Sequence, residues 1–145
     1  MSPEKLFSLC GTVILPCWLL LVFLPRWSWT QRLTTFVAPL LIAALYAWLL
    51  LTGPKAPGGG FQTLDQVAAL FSVRTALLAG WIHYLAFDLF TGSWEVRDAQ
   101  RLKISHWLVV PCLLLTFLFG PVGLALYLLL RASLRKQFSA EEVAA

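Results

Sequence analysis

Four long apolar runs alternate with short polar stretches along the chain. The hydrocarbon core of a bilayer is about 30 Å thick, so a spanning helix takes about 20 mostly apolar residues. Leu6 to Leu24 supplies the first run, closed by Pro25-Arg26, and Leu33 to Thr52 the second, closed by Gly53-Pro54. Thr75 to Gly92 is the third and shortest, and Ile104 to Leu130 the fourth, long enough to tilt or bend. The pattern predicts an all-α, polytopic membrane protein. It would be a four-transmembrane-helix bundle forming a single integral membrane domain over residues 1–145, with both termini on one side. Between the second and third runs, "GPKAPGGG" reads as a linker. Thr63 followed by Gln66 makes a capping-box pattern, and Leu64, Val67, Ala68, Leu70 and Phe71 give the segment an apolar side. A short extra helix is expected there, along the interface or tucked against the bundle.

Composition supports the membrane reading. Of 145 residues, 59% are hydrophobic and 12% charged, against about 25% charged in soluble domains. Such a chain cannot be wrapped in water without exposing large apolar areas. The net charge of +4 is scattered over helix ends, which suits membrane anchoring and argues against nucleic acid. Four crossings would put Lys5, Lys55, Arg74, Arg131, Arg135 and Lys136 on one face. Arg26, Arg32, Arg97, Arg101 and Lys103 would lie on the other, too even a split to orient the chain. The first run follows Lys5 but lacks a small-residue cleavage pattern, so it reads as a retained helix rather than a signal peptide. No transit peptide precedes it, and the expected location is a bacterial inner membrane or a photosynthetic membrane. Cys10, Cys17 and Cys112 lie inside apolar runs without metal-type clustering, and Cys10 and Cys17 are two turns apart on one face. They read as small apolar fillers.

Candidate chemistry concentrates in "GWIHYLAFDLFTGSWEVRD", residues Gly80 to Asp98. His83 falls near the bilayer midplane, and Asp88 lies roughly 7.5 Å further along the helix and about 140° around it. An ionised Asp facing lipid costs about 3 kcal/mol or more, so such groups turn toward protein or a wet cavity. The two side chains are expected to line two walls of one pocket. Glu95 and Asp98 fall in the short third loop and His106 opens the fourth helix. Were the third helix unbroken, Asp88 and Glu95 would share a face, but Gly92-Ser93 offers a break. The alternative for Asp88 is a buried ion pair with an arginine or a hydrogen bond to Trp or Tyr. For Glu95 and Asp98 the alternative is solvated loop charge, and for His106 an interfacial position. In the fourth run Pro121 predicts a kink, and Gly120 and Gly123 permit close helix approach or leave room for a rigid apolar ligand. Pro111 is a second weak point. His83, Asp88, Glu95, Asp98 and His106 are ligand types suited to iron or zinc, but no spacing enforces such a site. Without a nucleotide loop, a Ser-His-Asp order or a Cys-rich motif, neither metal nor cofactor is expected.

"GWIHYLAFDLF", Asp98, His106 and "PCLLLTFLFGPVGLALY" together resemble the neoxanthin-synthase-like family, the abscisic-acid-deficient-four type. The likeness is carried by residues 80–127; the first half agrees in hydropathy and size. Plant members are implicated in converting violaxanthin to neoxanthin. The resemblance implies an isomerase that opens a 5,6-epoxide to an allene on a carotenoid or related isoprenoid. An acid protonates the epoxide oxygen, a base takes a carbon-bound proton, and there is no net redox change. A carboxylic acid held neutral by a low-dielectric surround can be the donor. Asp88 is the expected acid, with His83 or Glu95 as base and Asp98 and His106 beside them. The partners would be the bilayer and a carotenoid-like, lipid-soluble molecule, with a partner enzyme or a homo-oligomer left open. Two alternatives stand beside it: a non-catalytic lipid- or pigment-binding accessory protein, and a small proton-coupled transporter using Asp88.

Overall fold

A computed structural model describes residues 2–135, and every regular element among them is a helix. Helix α1, Pro3–Phe23, starts where the Ser2 side chain accepts a hydrogen bond from the Lys5 amide at 3.4 Å, with Pro3 in the first turn. It buries a stripe at helical spacing: Leu6, Cys10, Ile14, Cys17, Trp18 and Leu21. Both cysteines are free thiols in that stripe, as expected of fillers.

Helix α2, Ser28–Thr52, starts five residues before the second apolar run, on "SWTQR". The Thr30 hydroxyl donates to the Leu24 carbonyl at 2.7 Å and closes the turn between the two helices. Over Leu33–Val37 the helix widens, and the Ala38 amide reaches back five residues to the Leu33 carbonyl. Pro39 explains the widening. It has no amide hydrogen, and its ring would collide with the carbonyl four residues back, so an extra residue in the turn relieves the clash. Helix α1 packs against α2, where Ala38 and Ile42 are buried. Both helices are long and apolar enough to cross a membrane.

Residues 53–63 form turns, and α3, Leu64–Ser72, begins at the expected cap. Thr63 Oγ1 accepts from the Gln66 amide at 3.2 Å, while the Gln66 side chain reaches back to the Gln62 amide at 3.2 Å. Helix α4, Arg74–Arg101, turns away from α3 by 105°. Phe71 folds over Gly80, where an added Cβ would lie 2.6 Å from its ring, and Glu4 pairs with Arg74. The bent pair α3–α4 counts as a third candidate span only if it is taken as one unit.

Two expectations fail in the second half. Helix α4 does not stop at Gly92 but runs to Arg101, so Glu95 and Asp98 are helical rather than loop residues. Its interior stripe continues through Ser93, Val96 and Ala99, all buried, and that packing outweighs the ~1 kcal/mol that one mid-helix glycine costs. The run 104–130 is not a single span. It forms two helices, α5, His106–Phe119, and α6, Pro121–Arg135. At 14 and 15 residues they are about 21 and 22 Å long, short of the hydrocarbon core.

By contacts the chain falls into two compact units, one reaching Phe90 and the other starting at Thr91. In the second unit the end of α4 is closed by bonds from the Ile104 amide to the Ala99 carbonyl and from Lys103 to Gln100, with Lys103 at φ 54°. This is the six-to-one, five-to-two pattern that turns a chain sharply off a helix. Gly120, at φ 47° and ψ −96°, then separates α5 from α6, a backbone that only glycine adopts without strain. The two short helices pack on each other, and Gly123 lies so close to α5 that a Cβ there would meet the Thr116 nitrogen at 2.0 Å. Arg101 and Arg131 both reach Asp98. A helix running unbroken through residues 104–130 would have separated them by about 40 Å, so these two arginines do not belong on opposite faces. Met1, Lys136 and Ala145 lie outside the described residues.

Candidate functional site

The five residues expected at the site are divided between the two units. Glu95, Asp98 and His106 lie in the second, where α4, α5 and α6 build a buried polar cluster. Glu95 and Asp98 are three residues apart and so share a face of α4. Asp98 is 4% exposed and Glu95 fully buried. Asp98 Oδ1 accepts from Arg101 Nη2 at 2.7 Å. Its Oδ2 accepts from the Tyr127 hydroxyl at 2.7 Å and lies 2.9 Å from Arg131 Nε. Tyr127 and Arg131 are four residues apart on α6, so one turn of that helix delivers both to the same carboxylate. Glu95 Oε1 accepts from the Thr116 hydroxyl of α5 at 2.9 Å. Trp94 stands edge-on to the Tyr127 ring at 5.4 Å.

Burial of that many charges is tolerable only because they are paired and hydrogen-bonded. Asp98 meets both guanidinium groups, Arg101 and Arg131, and Glu95 three residues before it brings the carboxylates of the cluster to two, equal in number to the arginines. Of the two alternatives considered for Glu95 and Asp98, solvated loop charge is excluded by their burial. His106 opens α5, half-buried, with its ring beside that of Trp107.

His83 and Asp88 lie in the first unit, on the earlier turns of α4. His83 is exposed, its ring 4.6 Å from Phe87 and 5.9 Å from Tyr46. Asp88 is half-buried and hydrogen-bonded by Tyr84 one turn before it. Its Oδ2 is buried with no hydrogen-bond partner among the described residues. The carboxylate is therefore tethered on one side and buried without a partner on the other.

Thr116, Tyr127 and Arg131 were not singled out from the sequence. Tyr127 and Arg131 did carry a signal, a polar pair at i, i+4 in an otherwise apolar stretch, which places both on one face of a helix. Arg131 read instead as a membrane anchor because the run before it looked like a complete crossing. Thr116 carried no signal of its own, since a lone threonine in an apolar helix usually bonds its own backbone.

A family model described as ABA DEFICIENT 4-like matches residues 5–127, which takes in every residue of both groups except Arg131. Neither the curated proteins nor the solved structures include a match to this chain.

Proposed function

Because the chain belongs to the ABA DEFICIENT 4-like family, we propose that it is a multi-pass membrane isomerase that opens an epoxide on the end ring of a carotenoid or related isoprenoid. Asp88 is the proton donor. The observation that carries this assignment is that Asp88 Oδ2 is buried with no hydrogen-bond partner among the described residues, whereas both oxygens of Asp98 are occupied by arginines and a tyrosine. Tyr84 holds the other side of Asp88 and fixes the direction in which the acid faces.

In the reaction the C–O bond of the epoxide breaks as its oxygen takes the proton from Asp88. A base removes a proton from the ring-adjacent polyene carbon, and the electrons of that C–H bond complete the allene. His83, five residues away, is the base in the same unit. The two differ by about 140° around the helix, so the ring would lie across the helix edge between them. Phe87 and Tyr46 flank the His83 imidazole and offer apolar ring surfaces to a polyene. No electron donor or acceptor is required.

A binding-only reading has its own support. A groove of about 470 Å³ is lined by Pro3, Phe7, Leu77, Leu78 and Trp81, with the Glu4–Arg74 pair at its rim. Protein reconstituted in lipid with a 5,6-epoxycarotenoid distinguishes the two. Wild type should yield an allenic product of unchanged mass, and Asp88→Asn should insert normally yet turn over about 10² to 10⁴-fold more slowly. Substrate retained but unconverted by wild type would favour the binding role. Full turnover by Asp88→Asn would remove Asp88 from the chemistry. Proton uptake into sealed vesicles without turnover would instead support the transporter.

A further inference from the structure

The first turns of α1 and α4 meet in the first unit, and the groove they line is charged at one end only. Glu4 and Arg74 stand in those first turns and pair with each other there. Beyond them the walls are apolar, with Phe7 from α1 and Leu77, Leu78 and Trp81 from α4, around a volume of about 470 Å³. Pockets that take small ligands run from about 300 to 1,000 Å³. The Phe7 and Trp81 rings lie 5.6 Å apart. Trp81 follows Arg74 by two turns, so the apolar part extends about 10 Å along α4. Helix α3 leaves α4 at 105°, immediately before Arg74. With α4 entering the bilayer, α3 at that angle lies along its surface, and the Glu4–Arg74 pair stands at the level of the lipid headgroups.

We propose that this groove holds one phospholipid with a zwitterionic, primary-ammonium head, the phosphatidylethanolamine type. Its phosphate meets Arg74, its ammonium meets Glu4, and one acyl chain runs inward along Phe7, Leu77 and Trp81. Charge complementarity sets the class. A guanidinium can engage two phosphate oxygens at once, and a carboxylate accepts from an ammonium. The Arg74 and Glu4 side chains are 78% and 59% exposed, so their pairing contributes little by itself and each has room for a second partner. A fatty acid or an anionic head brings negative charge beside Glu4 with nothing to offset it. A choline head has no N–H to donate, and a hydrocarbon pigment leaves both charges unused. Asp88 and His83 do not line the groove, so the proposal does not rest on the isomerisation above. It also gives the groove a different occupant from the pigment of the binding-only reading.

The test titrates the full chain in detergent micelles with four lipids carrying the same acyl chains, and counts bound lipid by native mass spectrometry. The four are phosphatidylethanolamine, phosphatidylcholine, phosphatidylglycerol and diacylglycerol. Phosphatidylethanolamine should be held about tenfold more tightly than the other three, the scale of one charge-assisted hydrogen bond. Glu4→Gln should bring it level with phosphatidylcholine, and Arg74→Gln should bring it down to diacylglycerol. Both side chains are exposed, so both variants should fold. Leu77→Trp narrows the groove and should weaken retention of all four lipids. Equal retention of diacylglycerol by the wild type would overturn the proposal, as would a preference for phosphatidylglycerol. Displacement of the phospholipid by equimolar β-carotene would give the groove to a pigment and overturn it too. So would a preference undiminished in both charge variants, which would place the lipid elsewhere on the protein. The turnover experiment on Asp88→Asn reads a different residue and a different product, so either result can fail while the other stands.

Discussion

Asp98 and Glu95 are both buried carboxylates on one helix face, yet their surroundings assign them different parts. Asp98 is enclosed by Arg101, Tyr127 and Arg131 and acts as the tie that closes the second unit. Removing its charge strands Arg131, whose side chain is 3% exposed, while Arg101 at 30% can still turn to solvent. Asp98→Asn should therefore destabilise the protein by about 3–5 kcal/mol, the usual cost of breaking a buried pair from one side. Thermal unfolding in detergent would read this as a large drop in Tm, and an unchanged Tm would contradict the burial. Glu95 is held by the Thr116 hydroxyl. Thr116→Val keeps the shape and deletes the donor, so a smaller loss of about 1–3 kcal/mol is expected in the same measurement.

At the scale of elements, the sequence Gly120-Pro121-Val122-Gly123 determines how the second half folds. Pro121 was expected to kink a long helix. It instead occupies the first position of α6, where its missing amide hydrogen costs nothing and its fixed φ suits a helix start. Gly120 provides the reversal and Gly123 the close approach to α5. Gly123→Ala would drive a methyl into the Thr116 amide and hydroxyl, so α5 and α6 must separate. A loss of about 1–3 kcal/mol is expected, together with altered cross-linking between cysteines placed on the two helices. Stability equal to wild type would contradict the packing. Hydropathy could not foresee the break, because the chain is apolar on both sides of Gly120 and an uninterrupted apolar run looks the same whether it crosses or doubles back. By the same logic α1 and α2 were legible, since their runs end at Pro25 and at Gly53-Pro54, where the helices also end.

For the molecule as a whole, the all-helical membrane character, the short capped helix and the family were readable from residues alone. The site was readable in part. Ionisable groups in "GWIHYLAFDLFTGSWEVRD" marked α4 as the helix that carries the candidate residues, but the partners of Asp98 depend on a tertiary contact across 33 residues, from Asp98 to Arg131. No local pattern encodes such a contact. The sequence also could not show that Glu95 and Asp98 are buried, because the Gly92-Ser93 pair is compatible with either a loop or a helix until packing decides. The central structural claim is that α5 and α6 form a hairpin that returns the chain to the side on which α4 ends. It is tested by single cysteines in a background with Cys10, Cys17 and Cys112 replaced, one at Lys103 and one at Ser133, both exposed positions. In sealed vesicles a membrane-impermeant maleimide should label both variants from the same side. Labelling from opposite sides would mean that residues 104–130 cross the bilayer once, and would contradict the hairpin and the buried cluster built on it.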